Sequence, residues 1–112
     1  MNIQEEQKGG IHIVRLNEAR LDSNCSSTLK TELLRLIENE GAVNLLLDLA
    51  NVDYIDSSGL GALLFGHRHL KGNKGRLKLL HLNPKVQTLL RIANLENIFE
   101  GYEDEEAALA SF

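Results

Sequence analysis

The sequence contains no tryptophan, and aromatic residues make up only 4% of its 112 residues. Aromatic platforms on which bases could stack are therefore scarce, which argues against single-stranded nucleic acid binding. The only cysteine, Cys25, cannot form an internal disulfide. Met1 is followed by polar and charged residues and not by the basic flank and apolar stretch of a secretory signal, so we expect a cytoplasmic protein.

Long hydrophobic runs are also missing. The longest, residues 60–65, includes a glycine and is far shorter than the ~20 residues that cross a bilayer. We therefore expect no membrane span. At about 100 to 200 residues per domain, the chain should form a single domain over residues 1–112. Its apolar content of 43% is sufficient for an aliphatic core.

Acidic residues are absent from residues 57–95, although the net charge of the chain is −4. Seven of the twelve lysines and arginines fall in this acid-free stretch: Arg68, Lys71, Lys74, Arg76, Lys78, Lys85 and Arg91. Such an asymmetry can mark an anion site or an acidic partner. Alternatively, the cations lie on several faces and never converge. The chain is acidic overall and shows no basic helix face, so we do not expect direct nucleic acid binding.

Hydrophobic periodicity and turn residues predict an α/β fold with a mixed, mostly parallel sheet of about five strands and four helices. Lys8, Gly9 and Gly10 indicate a hairpin turn between the first two strands. The uninterrupted leucines of residues 45–47 indicate a central strand that is buried on both faces. Strands are predicted at residues 3–7, 11–16, 43–49, 76–82 and 98–99, with residues 54–55 at the sheet edge.

Helix boundaries follow from capping residues. Asp22, Ser23 and Asn24 offer oxygens to cap a first helix, and Gly41 supplies its stop. Asn83 followed by Pro84 is typical of the start of a third helix. The second helix should begin after Asp56 and run to about residue 70, the third should end near residue 93, and the fourth should cover residues 104–111.

The segment of residues 56–64 is the most informative, because a strand there passes into a helix. The free backbone N–H groups and the helix dipole favour a negative group at this point. Gly59 and Gly61 leave room for another molecule or for neighbouring backbone. The hydroxyls of Ser57 and Ser58 are candidates either to cap the helix or to accept a phosphoryl group.

The sequence does not fit the motifs of a dinucleotide-binding loop, a serine hydrolase or a metal site. A dinucleotide-binding loop would need a third glycine where Leu64 stands, and an acid near His81. A serine hydrolase would need a Gly-x-Ser-x-Gly turn, which is absent, and His67 and His69 would point to different sides of one helix. One cysteine and histidines without i, i+4 spacing give no metal ligand set. We therefore predict no enzymatic activity, no cofactor and no metal.

Several segments together resemble a known family. They are Leu21-Asp22 before a helix, Leu47-Asp48-Leu49, the run from Val52 to Gly61 that contains Asp-Ser-Ser-Gly-Leu-Gly, Gly75-Arg76-Leu77, and Asn83-Pro84-Lys85-Val86. In this arrangement they resemble a STAS domain and, more narrowly, the anti-sigma factor antagonists of bacteria. The resemblance covers nearly the whole chain.

The resemblance implies a partner-switching role. The unphosphorylated antagonist would bind an anti-sigma factor that is also a serine kinase, phosphorylation would release it, and a serine phosphatase would reset it. The resemblance implies Ser57 as the phosphorylated residue, with Ser58 as the alternative. An alternative function is a STAS subunit that docks on a transporter ATPase or a stress-sensing assembly without regulating sigma. The predicted partner-binding residues are Asp22, Asp56, Ser57, Ser58, Gly59, Leu60 and Gly61.

Overall fold

A computed structural model describes all residues from 1 to 112. The strands are β1 (Ile3–Lys8), β2 (Ile11–Leu16), β3 (Arg20–Leu21), β4 (Asn44–Asp48), β5 (Tyr54–Ile55), β6 (Arg76–Leu80) and β7 (Gly101–Tyr102). The helices are α1 (Ser26–Glu38), α2 (Ser57–Gly72), α3 (Pro84–Ile92) and α4 (Glu105–Ala110). None of these helices is both long and apolar enough to cross a bilayer.

The main sheet has five strands in the order β1-β2-β4-β6-β7. Strands β1 and β2 are antiparallel, and every other pair in this sheet is parallel. The β1–β2 turn uses Gly9 and Gly10, whose φ angles of 56° and 80° suit glycine. The predicted α/β fold, with a mixed, mostly parallel five-stranded sheet and four helices, is confirmed.

Two apolar layers cover the sheet. On one face, α1, α2 and α3 enclose a core cluster of 22 buried residues, which includes Leu45 and Leu47. On the other face, Leu46 belongs to a smaller cluster of five buried residues that includes Ala108 of α4. Successive side chains of a strand point to opposite faces, so the three consecutive leucines of β4 are all fully buried.

Ion pairs hold α4 against the second face of the sheet. The Glu105 carboxylate accepts hydrogen bonds from Lys8 Nζ and Arg15 Nη2, both at 2.8 Å. These contacts, led by the Lys8 hydrogen bond, lower the pKa of Glu105. Lys78 on β6 is buried and donates from Nζ to the carbonyl oxygen of Ser111 at 2.8 Å. The C-terminal segment is thus tied to three strands of the sheet.

The predicted strand at residues 98–99 is wrong, because the strand lies three residues later, at Gly101–Tyr102. The backbone N–H groups of Ile98 and Phe99 donate to the carbonyl oxygen of Leu95, which makes a turn. Their hydrogen bonds are therefore not available to a sheet neighbour. Phe99 instead contributes its ring to the main core.

Residues 54–55 do not lie at the edge of the main sheet. They form β5, which pairs in parallel with β3 in a separate two-stranded sheet. Strand β3 was not predicted, because a strand of two residues is too short to show periodicity in the sequence. Beside this ladder the guanidinium of Arg20 lies 4.2 Å from the centre of the Tyr54 ring.

The start of α1 also differs from the prediction. The residue before the helix is Cys25, and no side chain caps it. The carboxylate of Asp22 accepts instead from the backbone N–H of Asn24 at 3.0 Å, within the preceding turn. At the other end, α1 stops before Gly41, whose φ of 67° agrees with the predicted stop.

Candidate functional site

The two-stranded sheet places two carboxylates at the start of α2. Leu21 pairs with Ile55, so the residues that follow them, Asp22 and Asp56, leave the parallel ladder side by side. The backbone N–H of Asp56 donates to the carbonyl oxygen of Leu21 at 3.2 Å. The structure therefore brings Asp22 next to the segment that contains Ser57.

Asp56 caps α2. Its backbone is extended, and its carboxylate accepts from the N–H of Gly59 at 2.9 Å. Because the cap position is filled, the hydroxyls of Ser57 and Ser58 are not needed there, and neither makes a hydrogen bond within the chain. Of the two roles considered for the serines, capping is thus performed by the neighbouring aspartate.

The two serines differ in exposure. Ser57, the first residue of α2, is exposed, whereas Ser58 is half-buried. Ser57 stands at the positive end of a 16-residue helix, whose first backbone N–H groups have no partner within the helix. An anion attached to its hydroxyl would meet favourable electrostatics from the helix itself.

Gly59 has a structural role in this site. A Cβ built on it would lie 2.2 Å from the carbonyl oxygen of Leu21 and 2.8 Å from Cγ2 of Ile55. Only a glycine allows α2 to start so close to β3. Gly59 is buried, whereas the other predicted partner-binding residues are exposed or half-buried, so direct contact of Gly59 with a partner stays a prediction.

Gly61 lies in a different environment from Gly59. A Cβ on Gly61 would meet no atom within 4 Å, and the residue is partly exposed. Leu60 is half-buried and packs against the main core. Helical spacing places Gly61, Leu64 and Arg68 in a row behind Ser57. We call these four residues the α2 face; none of them is fully buried.

Negative charge surrounds Ser57 more closely than positive charge does. Asp56 precedes it in the chain, Asp22 lies beside Asp56 at the end of the ladder, and Arg20 contacts Asp22, with Nε 3.4 Å from Oδ2. The Arg20 side chain is exposed and also stacks on Tyr54. Sequence reasoning missed Arg20 and Tyr54, because only the β3–β5 pairing brings them together.

Comparison with known proteins shows the family of this chain. The family model described as "STAS domain" matches residues 2–108. A protein of Paenibacillus polymyxa named "Anti-sigma F factor antagonist" is 30% identical over 109 residues, which are 97% of this chain and 92% of that protein.

Two solved structures share the fold. An anti-sigma-factor antagonist (STAS) domain protein from Planctomyces limnophilus superimposes with a TM-score of 0.87 at 18% identity, over 97% of this chain and 96% of that one. The phosphorylated form of SpoIIAA from Bacillus gives a TM-score of 0.75 at 21% identity, over 99% of this chain and 100% of that one. The family model and the 30% identical relative show that the chain belongs to the STAS family, among the anti-sigma factor antagonists.

Proposed function

We propose that this STAS protein acts as one domain over residues 1–112 and changes partners through phosphorylation of Ser57. The unphosphorylated form binds an anti-sigma factor that is also a serine kinase, and phosphorylation releases it. A serine phosphatase restores the binding form. The protein works in the cytoplasm and catalyses no reaction itself. The exposed, unbonded hydroxyl of Ser57 at the first residue of α2 is the observation that carries this proposal.

The fold can accept a phosphate at Ser57. Phosphorylation adds about −1.5 to −2 charges and three acceptor oxygens at neutral pH. The positive end of α2 and its free N–H groups stabilise that charge, whereas Asp22 and Asp56 repel it. Because the two effects oppose each other, we expect little change in the free energy of unfolding.

A phosphate on Ser57 should affect binding to the anti-sigma kinase more strongly than it affects folding. If the α2 face lies in the interface, a dianion at Ser57 must lose water or find a cation on the partner. A penalty of about 4 kcal/mol weakens binding roughly a thousandfold. The α2 face itself has no acidic residue, so in the unphosphorylated form it offers a small, partly apolar surface ended by Arg68.

The exposure of the two serines supports Ser57 as the modified residue. A kinase must bring the hydroxyl oxygen in line with the γ-phosphate of ATP, which requires free access to that oxygen. Ser57 is exposed, while Ser58 is half-buried. Ser58 serves as the matched control, since it is the same residue type one position later.

Phosphorylation is tested with the purified anti-sigma kinase from the same genome and ATP, with the site mapped by mass spectrometry. We expect phosphate on wild type and on Ser58→Ala, and none on Ser57→Ala. Labelling of Ser57→Ala to the wild-type extent would contradict the assignment. Circular dichroism of each variant verifies that the fold is retained.

The switch is tested by measuring kinase affinity with titration calorimetry. Ser57→Asp, which mimics part of the phosphate charge, should lower the affinity by up to about a thousandfold. Ala107→Asp is the control, because Ala107 is exposed in the first turn of α4 on the opposite face of the sheet. If Ser57→Asp binds as tightly as Ala107→Asp, the docking-subunit alternative is favoured over the switch.

A further inference from the structure

The cations of the acid-free stretch are mostly unpaired. Of the seven lysines and arginines between residues 57 and 95, only Lys78 has a carboxylate oxygen within 4 Å of its charged group. Elsewhere in the chain Lys8, Arg15, Arg20 and Arg35 all form ion pairs. Folding therefore brings few carboxylates to the cations of the acid-free stretch.

Several of these cations converge on one cavity of about 230 Å³, between the end of α2 and the start of β6. Its lining includes His67 and Lys71 from α2, Arg76 and Lys78 from β6, and one acid, Glu100. Ligand pockets for drug-sized molecules are typically about 300 to 1,000 Å³. This cavity therefore suits a small group.

The carboxylate of Glu100 is already engaged within the protein. It lies 3.2 Å from Lys78 Nζ and accepts a hydrogen bond from the Tyr102 hydroxyl at 2.9 Å. These two contacts, led by the Tyr102 hydrogen bond, lower the pKa of Glu100, so it stays ionised at neutral pH. Lys78 is buried and also donates to Ser111.

Lys71 and Arg76 remain as the free cations of the cavity. Both are exposed, and neither has a hydrogen-bonded or ion-paired partner in the chain. The three cations and one carboxylate that line the cavity give it a net charge of +2 with His67 neutral. Burial, followed by the charges of Lys71 and Arg68, lowers the pKa of His67, in keeping with a positive local potential.

The last carbonyl groups of α2 have hydrogen-bond partners within the chain. The carbonyl oxygens of Leu70 and Lys71 accept hydrogen bonds from the N–H groups of Asn73, Lys74 and Gly75 in the following loop. Carbonyls that are bonded within the turn do not compete for the cavity's side-chain donors.

We propose that this cavity binds a small oxyanion of the phosphate class, with Arg76 and Lys71 as its charged ligands and His67 as a further donor. Arginine presents paired N–H groups that match two phosphate oxygens, and lysine adds a point charge. The site is separate from Ser57, because the 14 residues from Ser57 to Lys71 span ~21 Å of helix.

The test is a titration of the full chain with inorganic phosphate at constant ionic strength, monitored by NMR. We expect saturable shifts of the signals of His67 and Ile98. Arg76→Gln and Lys71→Gln should each weaken the fitted affinity by about tenfold or more, as expected for a lost charged hydrogen bond. Lys74→Gln is the matched control, since this exposed lysine lies between them in sequence but outside the cavity lining.

A second readout follows the His67 ring. Bound phosphate should raise the pKa of His67, whose charged neighbours are Lys71, Arg68 and the other cavity residues. The proposal is overturned if the shifts do not saturate, if chloride causes them equally, or if Lys74→Gln weakens binding as much as Arg76→Gln does. Ser57→Asp should bind phosphate like wild type, so this result and the kinase result are independent.

Discussion

The two ends of α2 carry opposite charge, and they differ in whether their charged side chains have partners within the chain. At the N-terminal end, the carboxylates of Asp22 and Asp56 accept backbone hydrogen bonds from their own turns. At the C-terminal end, Lys71 and Arg76 have no acidic partner. Both signs suit the helix dipole. The first end satisfies its charge within the chain and leaves the hydroxyls of Ser57 and Ser58 without partners, whereas the second keeps free charge for an external anion.

The largest effect should come from Gly59→Ala, which tests how closely α2 starts against β3. The new methyl group would overlap the carbonyl oxygen of Leu21, which is backbone and cannot rotate away. We expect a loss of about 3 kcal/mol in the free energy of unfolding, measured by urea denaturation.

Gly61→Ala is the control for that variant. Its methyl group would meet nothing within 4 Å, and alanine favours a helix over glycine by about 1 kcal/mol. We therefore expect Gly61→Ala to be slightly more stable than wild type. Equal destabilisation by both substitutions would show that the close approach to β3 does not require Gly59.

Asp56→Ala tests the cap at the acidic end of α2. Loss of the hydrogen bond to the Gly59 N–H should cost about 1 kcal/mol. Ser58→Ala removes a hydroxyl without a partner and should change stability by less than about 0.5 kcal/mol. A larger loss from Ser58→Ala than from Asp56→Ala would mean that the serine, and not the aspartate, caps the helix.

The variant His67→Gln tests how His67, near the C-terminal end of α2, makes the stability of the protein depend on pH. The folded protein lowers the pKa of His67 below its usual 6.5, so between these two values the unfolded chain binds more protons. Stability should therefore fall as the pH drops from 7 through 6.5 towards the folded-state pKa. Urea denaturation at a series of pH values should show a smaller decline for His67→Gln than for wild type or for His12→Gln.

The smallest effect should come from Lys71→Gln and Arg76→Gln. Removing Lys71 relieves repulsion among the cavity's cations but loses a charge that suits the C-terminal end of the α2 dipole, and removing Arg76 also loses its attraction to Glu100. These opposing effects should leave the free energy of unfolding within about 0.5 kcal/mol of wild type at low salt. The difference should shrink further at 1 M salt, where charges are screened within ~3 Å. A loss above about 1 kcal/mol in either variant would show that the cation has a structural partner.

Strong local patterns in the sequence predicted most of the fold. The leucines of β4, the paired glycines after Lys8 and the Asn83-Pro84 helix start each combine a pattern with a physical reason, and the structure confirms all three. The strand near Phe99 was misplaced, because an apolar pair such as Ile98-Phe99 looks the same in the sequence whether it forms a turn or a strand.

The site was less predictable than the fold. Asp56 and Ser57 could be placed at a helix start from sequence, but which of them caps it depended on the extended backbone at Asp56. The structural need for Gly59 depends on β3, a two-residue strand that leaves no periodic trace. The meeting of His67, Lys71 and Arg76 likewise requires the end of α2 and the start of β6 to be adjacent in space.

The borders of the main sheet bear on how this protein can associate. One border, β1, is exposed and carries Glu5, Glu6 and Lys8, while the other, β7, has only two residues. Charged or very short outer strands resist the addition of a foreign strand by backbone hydrogen bonding. These borders therefore disfavour aggregation by edge-to-edge strand pairing. We expect other proteins to bind to helical surfaces of this protein instead.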